Sequence, residues 1–185
     1  MEEKYMKIIK VILGSIRDQR AGKKIAEWVM NRAQEYKGKL KFELVDLKVI
    51  DLPFMNEPVP AAAGEEYLYE HTKNWSRIIA QADGFIFVTP EYNHGYPGVL
   101  KNALDYLYKE WNNKPAGVVG YGSRGALNSI RQLKEVFEVL QIKPISTQIG
   151  INKIWEAFKE DGSLYEDNIT GDIQRMLAEL ESELL

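Results

Sequence analysis

Three short stretches of this sequence carry residue types suited to gripping a ligand: GSIRDQRAG at residues 14–22, PEYNHGYPG at 90–98 and GYGSRG at 120–125. In the first, Gly14 permits a tight turn, Ser15 brings a hydroxyl, and Arg17 and Arg20 bring forked cationic donors. A helical pattern begins at Ala21, so the free N–H groups of a helix start join them. That combination suits a terminal phosphate, although the same residues also make an ordinary solvated loop. In the second stretch Pro90 stiffens the chain. The N–H groups of Glu91, Tyr92 and Asn93 are placed to meet the polar edge of a flat ring, and Asn93 adds a side-chain donor and acceptor. Tyr92 or Tyr96 can cover an aromatic face. Glu91 has the chemistry of a general acid, but a hydrogen-bonding or exposed carboxylate is the preferred reading, and no catalytic acid or base is assigned. The third stretch formally matches G-x-G-x-x-G. It follows a late strand and has no acidic residue near Ile145, so the dinucleotide reading is rejected. Its glycines offer a backbone platform that a planar molecule can approach, or an ordinary turn.

The elements that would position these stretches follow from hydrophobic periodicity. Ile8 to Leu13, Leu40 to Leu47, Gly84 to Thr89, Pro115 to Gly120 and Pro144 to Ile151 read as strands. Between and after them, apolar residues at helical spacing mark helices from Ala21 to about Tyr36, over Leu68 to Ala82, Val99 to Leu107, Leu127 to Leu140 and Ile173 to Leu184. Pro97 lies before or in the first turn of the third helix, where a missing N–H costs nothing. Residues 48–66 hold Pro53, Pro58, Pro60 and Gly64 and are expected to be irregular. Alternating strands and helices predict an α/β fold with a parallel sheet covered on both faces. Ligands of such sheets bind at the carboxyl ends of the strands, where the strand order reverses. The three loops leave the ends of the first, third and fourth strands, so all three should share one rim. The whole chain, 1–185, is expected to form one domain.

Composition narrows the function further. The 185 residues are 45% hydrophobic and 28% charged, with 24 basic and 27 acidic side chains and a net charge of −3. That balance gives no support for a nucleic-acid reader. The absence of cysteine removes disulfides, thiolate metal sites and thiol nucleophiles, and two distant histidines make a metal site improbable. His71 falls on the apolar face of its helix and is expected to pack. His94 is expected to be a solvent-exposed loop residue. The four tryptophans read as core or interface candidates, and Lys101 and Asp105 as a surface i, i+4 pair. Lys7 and Lys10 interrupt the N-terminal apolar stretch, which makes a poor signal peptide, and no run reaches the length of a membrane span. The chain reads as a soluble, cytoplasmic protein.

TPEYNHGYPGVLKNALDYL at 89–107, together with GSIR, resembles the NAD(P)H-dependent FMN reductases of flavodoxin-like fold, a family that includes quinone, azo-dye and chromate reductases. The resemblance covers residues 6 to about 150. It implies a three-layer sandwich with a five-stranded parallel sheet in the order 2-1-3-4-5. It also implies that Ser15, Arg17 and the neighbouring loop hold the FMN phosphate, that Pro90, Glu91, Tyr92 and Asn93 flank the isoalloxazine ring, and that Tyr121, Gly122, Ser123 and Arg124 approach its other polar edge. Many members carry a serine where this chain has Ala21, so Arg20 or the Gly22 amide is the expected substitute. The helix after PEYN commonly lies at a dimer interface in this family, so a homodimer or homotetramer is expected. The implied activity is hydride transfer from NAD(P)H to bound FMN, and then, by ping-pong chemistry, to a small planar acceptor such as a quinone, an azo compound or free flavin. The rival readings are a flavodoxin-type electron carrier and a flavin-binding redox sensor, each acting through a protein partner.

Overall fold

The computed structural model describes residues 6–64 and 66–185; the first five residues of the N-terminal stretch read above lie outside them. The elements in chain order are β1 (Lys7–Leu13), α1 (Ala21–Glu35), β2 (Leu40–Asp46), the short α2 (Leu47–Ile50), α3 (Glu70–Ala80), β3 (Gly84–Pro90), α4 (Gly98–Asp105), β4 (Pro115–Tyr121), α5 (Leu127–Val139), β5 (Lys143–Pro144), β6 (Ile149–Ile151), β7 (Ile169–Thr170) and α6 (Ile173–Ser182). The sheet runs β2-β1-β3-β4-β6-β7, with β5 also on β4. Pairings are parallel from β2 through β6, as the flavodoxin-like expectation requires.

Alternation along the central strands divides the core between the two faces. Ile9, Val11 and Leu13 of β1, with Ile86 and Val88 of β3, face α1 and α6. Ile12, Phe85 and Phe87 face the opposite way and pack with α3, α4 and α5. Both sides of β3 and β4 are fully buried, which explains their near-continuous apolar runs. Lys10 is the buried polar exception in β1. It is ion-paired to Glu43 at 2.5 Å.

Three features depart from the pattern expected from sequence. The fifth strand is two fragments. Pro144 has no N–H for the ladder, and between the pairings Ala116↔Pro144 and Val119↔Ile149 the edge strand carries two residues more than β4. The Glu179 carboxylate of α6 holds this excursion, accepting from Thr147 N at 2.8 Å, Thr147 Oγ1 at 2.7 Å and Ser146 Oγ at 2.9 Å. The Thr147 hydroxyl and N–H, with Ser146 and Arg175, outweigh burial and push the Glu179 carboxyl down to about 2. Second, β7 adds an antiparallel pair to β6; two residues are too short to show a periodicity. Third, β2 ends before Leu47 because the Asp46 carboxylate accepts from Lys48 N at 2.9 Å and caps α2. Among the described residues no helix is long and apolar enough to cross a membrane.

Candidate functional site

The three loops do converge, at the carboxyl ends of β1, β3 and β4, around a cleft of about 350 Å³. Ser15, Arg17, Arg20 and Ala21 line it from the first loop, Pro90, Glu91 and Tyr92 from the second, and Tyr121, Gly122 and Ser123 from the third. Gly22, Asn93 and Arg124 do not line it. Gly22 is buried beneath the rim, Asn93 is exposed at the tip of a turn, and Arg124 pairs with Asn152 in an isolated bridge. Ile154 and Trp155 complete the wall. Sequence reasoning assigned neither of them to the site. Trp155, read as a core or interface candidate, is 67% exposed and so is not part of the core. Nothing in its spacing separates it from a core tryptophan; only the return of the chain beside the third loop brings it to the rim.

The first wall is a helix start with open donors. α1 begins after Arg20 with no side-chain cap and no acidic residue in its first turn, so its leading N–H groups and its positive dipole end face the cleft. The Arg20 guanidinium is committed within the fold, donating to the Ser15 carbonyl and to Asp46, and so braces the loop on β2. Arg17 is exposed, lies 5.8 Å from the Tyr92 ring centroid and makes no ion pair among the described residues. Ser15 is buried, and its Oγ is 3.0 Å from the Tyr92 hydroxyl.

The second wall owes its shape to a tight reversal. Tyr92 and Gly95 exchange two backbone hydrogen bonds of 2.8 and 3.0 Å, and Asn93 and His94 between them take φ of 51° and 67°. This is the two-residue turn with both central residues left-handed, a conformation asparagine tolerates better than most. The Tyr92 N–H, expected to meet a ring edge, is therefore spent on Gly95. The Glu91 carboxylate sits at the start of α5, accepting from Asn128 N at 2.8 Å, Asn128 Nδ2 at 3.0 Å and Ser129 N at 3.3 Å. Burial works to raise its pKa, but these bonds from Asn128 and Ser129, with His94 nearby, hold the carboxyl below its ordinary value. An ionised, triply bonded cap is a scaffold and not a proton donor. The two histidines also fall as expected. His94 is exposed in the turn, and His71 stacks on Tyr69 with centroids 5.3 Å apart, its Nε2 3.1 Å from Asn56 Oδ1.

The third wall is the glycine platform. Gly122 donates to Ile151 O and accepts from Ile154 N, both at 3.1 Å, so its N–H is already committed and the loop is locked to the chain that follows β6. Gly125 has a φ of 61° and lies so close to Gly150 that a Cβ there would meet the Gly150 Cα at 2.8 Å. No other residue type fits that crossing.

These walls suit a two-part ligand, with an anion at the α1 start and a flat body between Tyr92 and the platform. That is the shape of FMN, and the open helix start supplies the donors its phosphate needs. Among the described residues no cluster of three His, Asp or Glu is placed to hold a metal ion.

Comparison with known proteins agrees with this geometry. The family model for NADPH-dependent FMN reductases matches residues 6–156. An NAD(P)H-dependent FMN reductase of Schizosaccharomyces pombe is 44% identical over 151 residues, covering 80% of this chain and 75% of that protein. A quinone reductase of Pseudomonas putida is 34% identical over 137 residues, 67% of each chain. Among solved structures, a flavoenzyme NAD(P)H:(acceptor) oxidoreductase from Paracoccus denitrificans superposes with a TM-score of 0.64 at 27% identity, covering 97% of this chain and 93% of that one.

Proposed function

The chain belongs to the NADPH-dependent FMN reductase family, and from that premise we propose that it is an FMN-dependent oxidoreductase that oxidises NAD(P)H and reduces a small planar acceptor, a quinone, an azo compound or free flavin, in two successive half-reactions. The observation that carries this reading is the cleft itself, in which an uncapped helix start and a glycine platform face one another across a tyrosine. Bound FMN supplies the hydride chemistry that no side chain offers.

The residues do the remaining work. Arg17 and the first-turn N–H groups of α1 bind the phosphate end. Tyr92, fixed by Ser15, lies along one side of the flat body, and the 122–123 platform along the other. Glu91 ties the second loop to the start of α5, and so to the third loop, through its bonds to Asn128 and Ser129. Exposed Trp155 offers an aromatic face at the cleft mouth, where a second planar molecule can stack. Because nothing on the rim is poised to deliver a proton, the protein acts by positioning and by exclusion of solvent. We also place the enzyme in the cytoplasm and assign it a homodimer or homotetramer. The groove between α4 and α5, lined by Tyr96, Val136 and the exposed Val139, supports the assembly; light scattering would read the mass directly.

The test is a visible spectrum of the purified protein titrated with FMN, followed by NAD(P)H oxidation with a quinone as acceptor. Bound flavin and turnover are the expected results. No FMN binding at high micromolar concentration would sink the reading, and binding without turnover would favour an electron carrier or redox sensor.

A further inference from the structure

We infer that Tyr121 is a phosphate-binding residue whose hydroxyl donates to the terminal monoester of the cofactor, and that it does not face the ring edge where its neighbours in the third loop lie. The inference rests on the FMN reading and specifies how the site tells a phosphorylated flavin from an unphosphorylated one.

Tyr121 ends β4, and its side chain belongs to the buried cluster on the α1 side of the sheet. It is only 5% exposed. A Cβ built on Gly22 would lie 2.3 Å from the Tyr121 Oη and 3.1 Å from its Cζ, so the phenol tip rests directly on the first turn of α1. Of the buried hydroxyls gathered there, Ser15 Oγ is committed to Tyr92. Among the described residues no hydrogen-bond partner meets the Tyr121 Oη in both distance and angle. Burial drives this phenol far above its ordinary pKa, and the nearby Ser15 hydroxyl and the Arg20 and Arg17 charges only partly offset it. It therefore remains a donor throughout the working pH range.

Two independent features thus point at one spot. The helix start presents N–H groups with no cap, and a nine-tenths-buried hydroxyl presents a donor with no acceptor. A buried hydroxyl left unbonded is destabilising, and phenylalanine would fill the same space without that cost. Glycine at 22 is equally specific, because a side chain there would displace the hydroxyl. A ligand that accepts from the helix amides and the phenol together needs several acceptor oxygens and negative charge. A phosphate monoester has both.

The experiment compares wild type with Tyr121→Phe by calorimetric titration of the flavin-free protein with FMN and with riboflavin. The expected result is an FMN affinity lowered about ten- to a hundredfold, an unchanged riboflavin affinity, and a melting temperature of the flavin-free variant equal to or above wild type. Equal loss for both ligands would place the hydroxyl at the ring and overturn the assignment, as would no loss for either. Inorganic phosphate separates this inference from the FMN reading. It should raise the wild-type melting temperature more than that of the variant even if FMN fails to bind, and an equal rise would overturn the inference alone. Should the variant not fold, the ³¹P resonance of FMN on the wild-type protein decides. A phosphate held by these donors stays dianionic as the pH passes its ordinary second pKa of about 6, whereas a resonance that titrates as in free solution would overturn the proposal.

Discussion

On the α3–α4–α5 side of the sheet, Trp75, Trp111, Phe85, Phe87 and Phe137 interlock with neighbouring ring centroids 5.0 to 6.2 Å apart. Both indoles there donate their N–H, Trp75 to Ala103 O at 2.8 Å and Trp111 to Leu104 O at 3.2 Å. The rim above β1, β3 and β4 is built from aromatic residues too, but on opposite terms. Tyr121 is as buried as the core and its polar tip is unbonded. Left-handed backbone occurs in the same loops, at Gln19, Asn93, His94, Gly125 and Ala126, as it does elsewhere in the chain. Each such non-glycine residue is held against its own preference by its surroundings. The difference teaches how this fold divides its labour. The aromatic core pairs both of its indole N–H groups and supplies the stability that the rim then spends on open donors and constrained turns.

Substitutions can break that contrast, and the largest effect belongs to the core. Trp111→Ala should remove about 3–5 kcal/mol of stability in urea unfolding, the usual range for deleting a large buried aromatic. FMN affinity per folded molecule should be unchanged, because Trp111 reaches no rim loop. Arg17→Ala should reverse the pattern, with FMN binding weakened by about 1.5–3 kcal/mol in titration and the stability of the flavin-free protein shifted by no more than about 0.5 kcal/mol. A loss of stability comparable to the loss of affinity would show that Arg17 is part of the scaffold.

Glu91→Gln lies between the two regions, since it serves the rim by securing a core helix. Loss of the charged cap should cost about 1 kcal/mol, with turnover surviving in the folded fraction. Its pH dependence has a definite sign. The folded-state pKa of Glu91 is lowered from the ordinary 4.5, so its contribution is present above that value and is lost as pH falls through the lower, folded-state value. Acid unfolding of the Gln variant should therefore be less steep below pH 4.5. The smallest effect is expected from Trp155→Ala. Its exposure limits the stability change to about 0.5 kcal/mol, while the KM for a planar acceptor should rise, as steady-state rates would show. An unchanged KM across quinone and azo acceptors would remove Trp155 from the acceptor's path.

Much of this was legible in the chain, and the reasons it was legible also mark where reading fails. β1, β3 and β4 are buried on both faces, so their apolar runs announce them, and the loops that leave them carry glycine, proline and arginine at fixed offsets. The Asn93–His94 reversal was visible only as a polar turn, because which N–H groups a turn consumes depends on its conformation and not on its composition. The break between β5 and β6 depends on Glu179, a residue of a helix far along the chain, and β7 is recognised only by its partner. The place of Trp155 at the cleft and the depth of the Tyr121 tip were not visible for one shared reason. An aromatic side chain reads the same in a core, at a cleft mouth or under a helix start, and only the tertiary neighbours decide.

The two-residue strand β7 has a meaning beyond topology. A sheet whose last strand is open offers unpaired N–H and carbonyl groups to any passing extended chain, and this is the usual seed of edge-to-edge aggregation. Here Ile169 and Thr170 lie against β6 in the antiparallel sense, and the far border, β2, carries Lys41 and Glu43 joined at 2.6 Å. One border ends in a strand of two residues, too short to template another chain, and the other is armed with charge. Both devices work against edge-to-edge pairing of a sheet whose central strands are buried and apolar on both faces.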